Sequence, residues 1–114
     1  MRALRAFTIV ELLTALVLLA VGLAAFARAA GAVARLESDA RLRRLVAAAI
    51  QARLDSLAGQ ACDGPRAGEA QHDGLAERWH AEPQAQHLRL EEHIEVPARP
   101  ALSRSITATI ACAP

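Results

Sequence analysis

The stretch FTIVELLTALVLLAVGLAAFARAA, from Phe7 to Ala30, decides the architecture of this chain. It is apolar except for Thr8, Glu11, Thr14 and Arg28. At about 1.5 Å per residue a helix of this length reaches roughly 36 Å, enough to cross a bilayer. The six residues before it, MRALRA, form a short basic leader with Arg2 and Arg5. Positive charge at that end holds it in the cytoplasm, so the rest of the chain is expected on the outer side. A cleaved secretory signal is the rival reading, with small-residue sites at Ala27–Ala29 and Ala30–Ala32. It fits less well, because helix-like sequence runs on directly past both sites.

Outward from this segment the helical period persists. Leu42, Leu45, Val46, Ala49, Ile50, Leu54 and Leu57 recur three and four apart and make one apolar stripe. Arg41, Arg43, Arg44, Gln51 and Asp55 fall on the other faces, and Gly59 is a natural stop. The expectation is a single helix from Phe7 to Ala58, with Gly22 and Gly31 as its weak points. Residues 60–74 carry turn chemistry and read as a loop. Three extended stretches follow, at Leu75–Ala81, His87–Val96 and Ser103–Cys112, separated by Pro83, Pro97 and Pro100. Their apolar residues alternate: Leu75 and Trp79, then Leu88, Leu90, Ile94 and Val96, then Ile106, Ala108, Ile110 and Cys112. The fold class expected is α+β, a long N-terminal helix packed on a small antiparallel β-sheet of three strands. Four segments result: a leader at 1–6, a membrane helix at 7–30, its amphipathic continuation at 31–59, and a sheet head at 60–114.

The totals agree with one small exported domain. The chain has 114 residues, and its 54% apolar content is concentrated before residue 37. A head this small builds a thin core and needs a staple or a partner. The net charge of +1, with both signs interleaved, argues against a nucleic-acid surface. All 13 basic residues are arginine, which reflects codon bias rather than chemistry. Cys62 and Cys112 both follow the apolar segment, so export would place them where a disulfide forms. A bridge closing this loop would contribute about 4 kcal/mol in the chain-entropy model and tie the helix end to the last strand. The alternative is two buried free thiols.

Glu11 is the most informative residue. A carboxylate near the start of a membrane helix costs about 2.5–3.5 kcal/mol on insertion scales and calls for a cationic partner. Ala6-Phe7-Thr8-Ile9-Val10-Glu11-Leu12-Leu13 resembles the class III signal of type IV prepilins and type II secretion pseudopilins. The resemblance is carried by Arg5–Ala30 and continues as architecture alone. It implies that a prepilin peptidase cuts between Ala6 and Phe7 and methylates the new Phe7 amine. It further implies that Glu11 neutralises this amine on a neighbouring subunit during assembly, and that the apolar helix becomes the filament core. The family has glycine before the cut, where this chain has Ala6. The implied partners are the peptidase, other pilin or pseudopilin subunits, an inner-membrane assembly platform and the lipid bilayer. The implied location is the bacterial inner membrane, single-pass with a periplasmic C-terminal domain, and then the filament. A short chain with this acid points to a minor pilin or minor pseudopilin.

Other candidates read more plainly. His72, His80, His87 and His93 are expected in loops or at the surface, and Glu91, Glu92 and Glu95 as solvated charges on an exposed strand. Trp79 is expected to anchor the core. Two cysteines with no clustered histidine lack metal-ligand spacing, and no nucleophile–base arrangement or phosphate loop is present. No catalytic residue, metal or cofactor is therefore expected. Two alternatives remain: an uncleaved membrane-tethered binding module, and a DNA-uptake pilin using Arg78, Arg89, Arg99 and Arg104.

Overall fold

Thr8 starts the helix by chemistry that its sequence position allows. Its hydroxyl accepts the Glu11 backbone N–H at 3.2 Å, and its carbonyl accepts the Leu12 N–H at 3.1 Å. This is the first half of a Thr-x-x-Glu capping arrangement, which satisfies a donor the helix cannot satisfy itself. From there α1 runs Ile9–Leu57 without interruption, through both Gly22 and Gly31. It ends at Gly59, whose φ of +76° is the left-handed conformation that closes a helix. The computed structural model describes residues 8–113; Ala6 and Phe7 lie outside the described residues. The described chain forms two units that divide between Ser38 and Asp39.

The second unit contains the end of α1 and four strands, β1 (Arg66–His72), β2 (Leu75–Gln84), β3 (His87–Glu95) and β4 (Arg104–Ala111). They form one antiparallel sheet in the order β1-β2-β3-β4, so every neighbour in sequence is a neighbour in space. The class is α+β as expected, but the sheet has four strands rather than three. The additional strand is β1, which lies inside the segment read as a loop. Its sequence, RAGEAQH, has no large apolar residue to show a period of two. It is held instead by its hairpin: Asp73 (φ 50°) and Gly74 (φ 76°) make a two-residue turn that registers His72 against Leu75. Pro83 was expected in a gap and instead lies within β2, opposite Leu88. The register explains how a proline is tolerated there. β1 pairs only as far as Ala81, so beyond it β2 has no neighbour on that side to bond.

One face of the sheet is covered and the other is not, as in many antiparallel sheets. The inner face receives the stripe predicted for the helix. Val46 and Ala49 pack with Leu75, Ile94, Val96 and Leu102 in one apolar cluster. Leu57 packs with Ala81, Leu88 and Leu90 in a second, supported by Leu54, Trp79 and Ile110. Ser103 closes the β3–β4 connection by accepting the Val96 N–H at 3.0 Å.

Candidate functional site

Two places in the chain carry chemistry that packing alone does not require. The first is the start of α1. Apolar side chains cover every side of this segment, and none is buried: Ile9 is 79% exposed and Phe26 72%. Such a helix is long and apolar enough to span a membrane. Between Glu11 and Arg28 there is no charged residue, a distance of about 25 Å along the axis. Glu11 therefore stands at one end of the uncharged stretch and Arg28 at the other. Glu11 occupies the third helical position, where a carboxylate faces the positive end of the helix dipole. Among the described residues it has no ion-pair partner. Thr14 adds a local bond, its hydroxyl donating to the Glu11 carbonyl at 2.9 Å.

The second place is a polar layer inside the head. Along β3 the buried residues are Leu88, Leu90, Glu92 and Ile94, with Val96 just beyond its end, so an acid sits in the middle of an apolar face. Glu92 is 3% exposed, and neither carboxylate oxygen has a hydrogen-bond partner. This corrects the expectation that Glu91, Glu92 and Glu95 are all solvated: Glu91 and Glu95 are exposed, but strand alternation turns Glu92 inward. On β2 the alternation likewise buries Glu77, at 5% exposed. The two strands pair with Glu92 opposite Trp79 and Glu77 opposite Ile94, so the two acids are diagonal neighbours on one face.

Arg53 reaches this layer from α1. Its Nε donates to Glu77 Oε1 at 2.7 Å, and its Nη2 lies 2.7 Å from the same oxygen in an ion pair. Its guanidinium carbon lies 4.6 Å from the centroid of the Trp79 ring, a cation–π contact. Trp79 in turn lies over Gly68 of β1, its register partner. A Cβ at residue 68 would meet Trp79 Nε1 at 2.8 Å, so glycine is what lets the indole lie there. Trp79 is half-buried at the side of the second cluster, with Arg53 stacked on it. In sequence terms the layer is one step in each element between the two clusters. Arg53 falls between Ile50 and Leu54, Glu77 between Leu75 and Ala81, and Glu92 between Leu90 and Ile94.

The electrostatics of the layer are unequal, with two carboxylates and one cation. Burial, reinforced by the Glu77 carboxylate beside it, pushes the Glu92 carboxyl up to about 7, against a weaker opposing pull from Arg53.

Elsewhere the expected residues are accounted for simply. Cys62 and Cys112 stand at disulfide distance with Cα atoms 5.6 Å apart. Beside them the Ala113 N–H donates to the Gln60 carbonyl at 3.2 Å. His80, His87 and His93 lie on the exposed face of the sheet and His72 at its hairpin end. His93 shares a hydrogen bond with the Ser105 hydroxyl at 2.6 Å, without an acid to orient the ring. Of the outer-face arginines, Arg78 pairs with Glu69 at 2.8 Å and Arg89 with Glu91 at 3.2 Å. Among the described residues no group of three His, Cys, Asp or Glu side chains is placed to hold a metal ion. No family model, curated protein or solved structure matches this chain.

Proposed function

We propose that this chain is a minor pilin or pseudopilin subunit, cut between Ala6 and Phe7 by a prepilin peptidase and assembled through α1 into a filament. One observation carries the reading: an acid at Glu11, four residues beyond Phe7 and its basic leader, opens a helix that is apolar on every side. A plain anchor gains little from that acid, since the helix dipole offsets only part of what an unpaired carboxylate costs on insertion. An assembling subunit does gain, because the methylated Phe7 amine of a neighbour would neutralise Glu11 and fix the axial register. The general architecture, an apolar N-terminal helix with a small antiparallel sheet, is the one such subunits have. The partners are then the peptidase, other pilin or pseudopilin subunits and an inner-membrane assembly platform, with the head in the periplasm before assembly. Nucleic acid is a poor partner for this head, because Arg78 and Arg89 face carboxylates and Arg99 lies 3.5 Å from Asp39.

The test is N-terminal mass spectrometry of membrane-extracted protein, made with and without a co-expressed prepilin peptidase. A chain that begins at methylated Phe7 only when the peptidase is present supports the reading. Glu11→Ala should still be cut but should be lost from sheared filaments. An intact Met1 under both conditions would refute it and leave a tethered module.

A further inference from the structure

The polar layer of Arg53, Glu77 and Glu92 has no part in the assembly reading, and its composition is unusual for a thin core. Three elements converge on it. From α1 the only charged side chain is Arg53; Gln51 and Asp55 are exposed and bond each other at 2.9 Å. From β2 comes Glu77, with Trp79 beside it. From β4 come the register partner Ile106 and, flanking it on the same face, the uncharged Ala108 and Arg104, whose guanidinium donates to the Ala101 and Ser103 carbonyls. β1 lies beyond β2 and offers Gly68 and Ala70 on this face, with Arg66, which pairs with Asp63 at 2.5 Å, at one end and His72 at the hairpin end. The Arg53 guanidinium is committed to Glu77, with two of its nitrogens 2.7 Å from Oε1. Glu92 is then a buried acid with two unpartnered oxygens. A charge in that position would be uncompensated, and the inexpensive remedy is to remove it by protonation.

We propose that the head closes with a proton on Glu92, so that the junction between α1 and the sheet is a proton-linked clamp. The proton comes from solvent onto one Glu92 oxygen, and the resulting O–H donates to the Glu77 carboxylate. This leaves one negative charge against one positive charge in the layer and gives Glu92 a hydrogen-bond partner. When Glu92 ionises, the proton returns to solvent and two carboxylates face a single guanidinium. The layer then pushes apart at the boundary between the two apolar clusters. The sign follows from the direction of the shift: an acid that holds its proton more tightly folded than unfolded stabilises the fold in acid. That contribution is complete below the ordinary carboxyl range and is lost as pH rises through neutrality.

The test uses the full chain in detergent micelles, with denaturant unfolding followed by the fluorescence of its one tryptophan, Trp79. Between pH 5 and pH 8 the folded-to-unfolded ratio of the wild type should fall roughly 70-fold more than that of Glu92→Gln, which mimics the protonated acid. The two proteins differ only at residue 92, so the contributions of every other group cancel in the comparison. Equal pH dependence in the two proteins overturns the proposal. A second measurement does not need the variant to fold. Infrared spectra of the wild type should show a protonated carboxyl C=O band at pH 6 that disappears by pH 8. A spectrum without that band at pH 6 overturns the proposal as well.

Discussion

Removing Arg53 should damage the head far more than its position at the edge of the core suggests. Arg53→Met keeps the length and apolar stem of the side chain but deletes the charge. Glu77 then loses a contact of 2.7 Å made by two nitrogens while its own side chain stays 3% exposed. Breaking a buried ion pair by removing one partner costs about 3–5 kcal/mol. The low end applies here, because the Arg53 side chain is 22% exposed and water can partly replace it. A loss of about 3 kcal/mol is a large share of the 5–15 kcal/mol that holds an ordinary small domain together. For a domain of this size it corresponds to a fall in Tm of roughly 12–24 °C.

The assay is thermal unfolding at pH 7 read by Trp79 emission, which should itself shift because the guanidinium no longer covers the ring. The same reasoning makes a second demand. If the damage comes from carboxylates left without a cation, it should be repaired by removing them as well. The triple change Arg53→Met, Glu77→Leu, Glu92→Leu replaces the whole layer by apolar side chains and joins the two clusters. Such replacements are commonly neutral or stabilising. The triple variant should therefore unfold within about 1 kcal/mol of the wild type or above it. A single variant that loses less than about 1 kcal/mol, or a triple variant no better than the single one, would refute the account of the layer.

Further expectations concern the parts around it. Gly68→Ala places a Cβ 2.8 Å from the Trp79 ring, so it should cost about 1–3 kcal/mol in thermal unfolding and red-shift the tryptophan emission. Reducing Cys62–Cys112, or replacing both by serine, opens a loop with a sequence separation of 50 and should cost about 4 kcal/mol in denaturant unfolding. Leu90→Ala removes a fully buried side chain from the second cluster and should cost about 2–5 kcal/mol by the same assay. Thr8→Ala deletes the cap on the Glu11 N–H, and hydrogen exchange in the first turn of α1 should speed up while the head is unaffected.

The parts of this fold that were legible in the sequence are those in which a large apolar residue repeats. The stripe from Leu42 to Leu57 gave the packing face of α1, and the alternation in β3 and β4 gave the inner face of the sheet. β1 was illegible because its inward positions include Gly68 and Ala70, whose smallness leaves room for Trp79 but erases the period. The Asp73-Gly74 pair was the available signal, since a two-residue turn of this type demands a strand on each side. Glu92 was misread for a different reason. Its position in the alternation between Leu90 and Ile94 already placed it inward, and only its charge argued for solvent. Periodicity should outrank polarity where the flanking residues leave no doubt about the face. The layer that receives it is built by Glu77 on β2 and by Arg53 on α1, about 40 residues away, which one-dimensional reading does not connect.

Glu11 and Glu92 pose the same physical problem in two surroundings. Each is a carboxylate set among apolar residues, and each can be made tolerable by a cation or by a proton. In the head the nearest cation already serves Glu77, so the proton is the remaining solution for Glu92. At the start of α1 a proton would be a poor solution for a subunit that has to assemble, because a neutral acid has no charge with which to choose a neighbour or set a register. Under the proposed assembly a cation supplied by the next subunit would do both, and it would be available only once a new amine had been exposed at Phe7. The two acids therefore predict opposite responses to the same conservative change. Glu92→Gln should leave the head folded and remove the part of its pH response that Glu92 contributes. Glu11→Gln should leave the helix inserted and remove its place in a filament. A Glu11→Gln subunit recovered from sheared filaments as abundantly as the wild type would mean that assembly does not need the charge of Glu11, and the assembly reading would lose its main support.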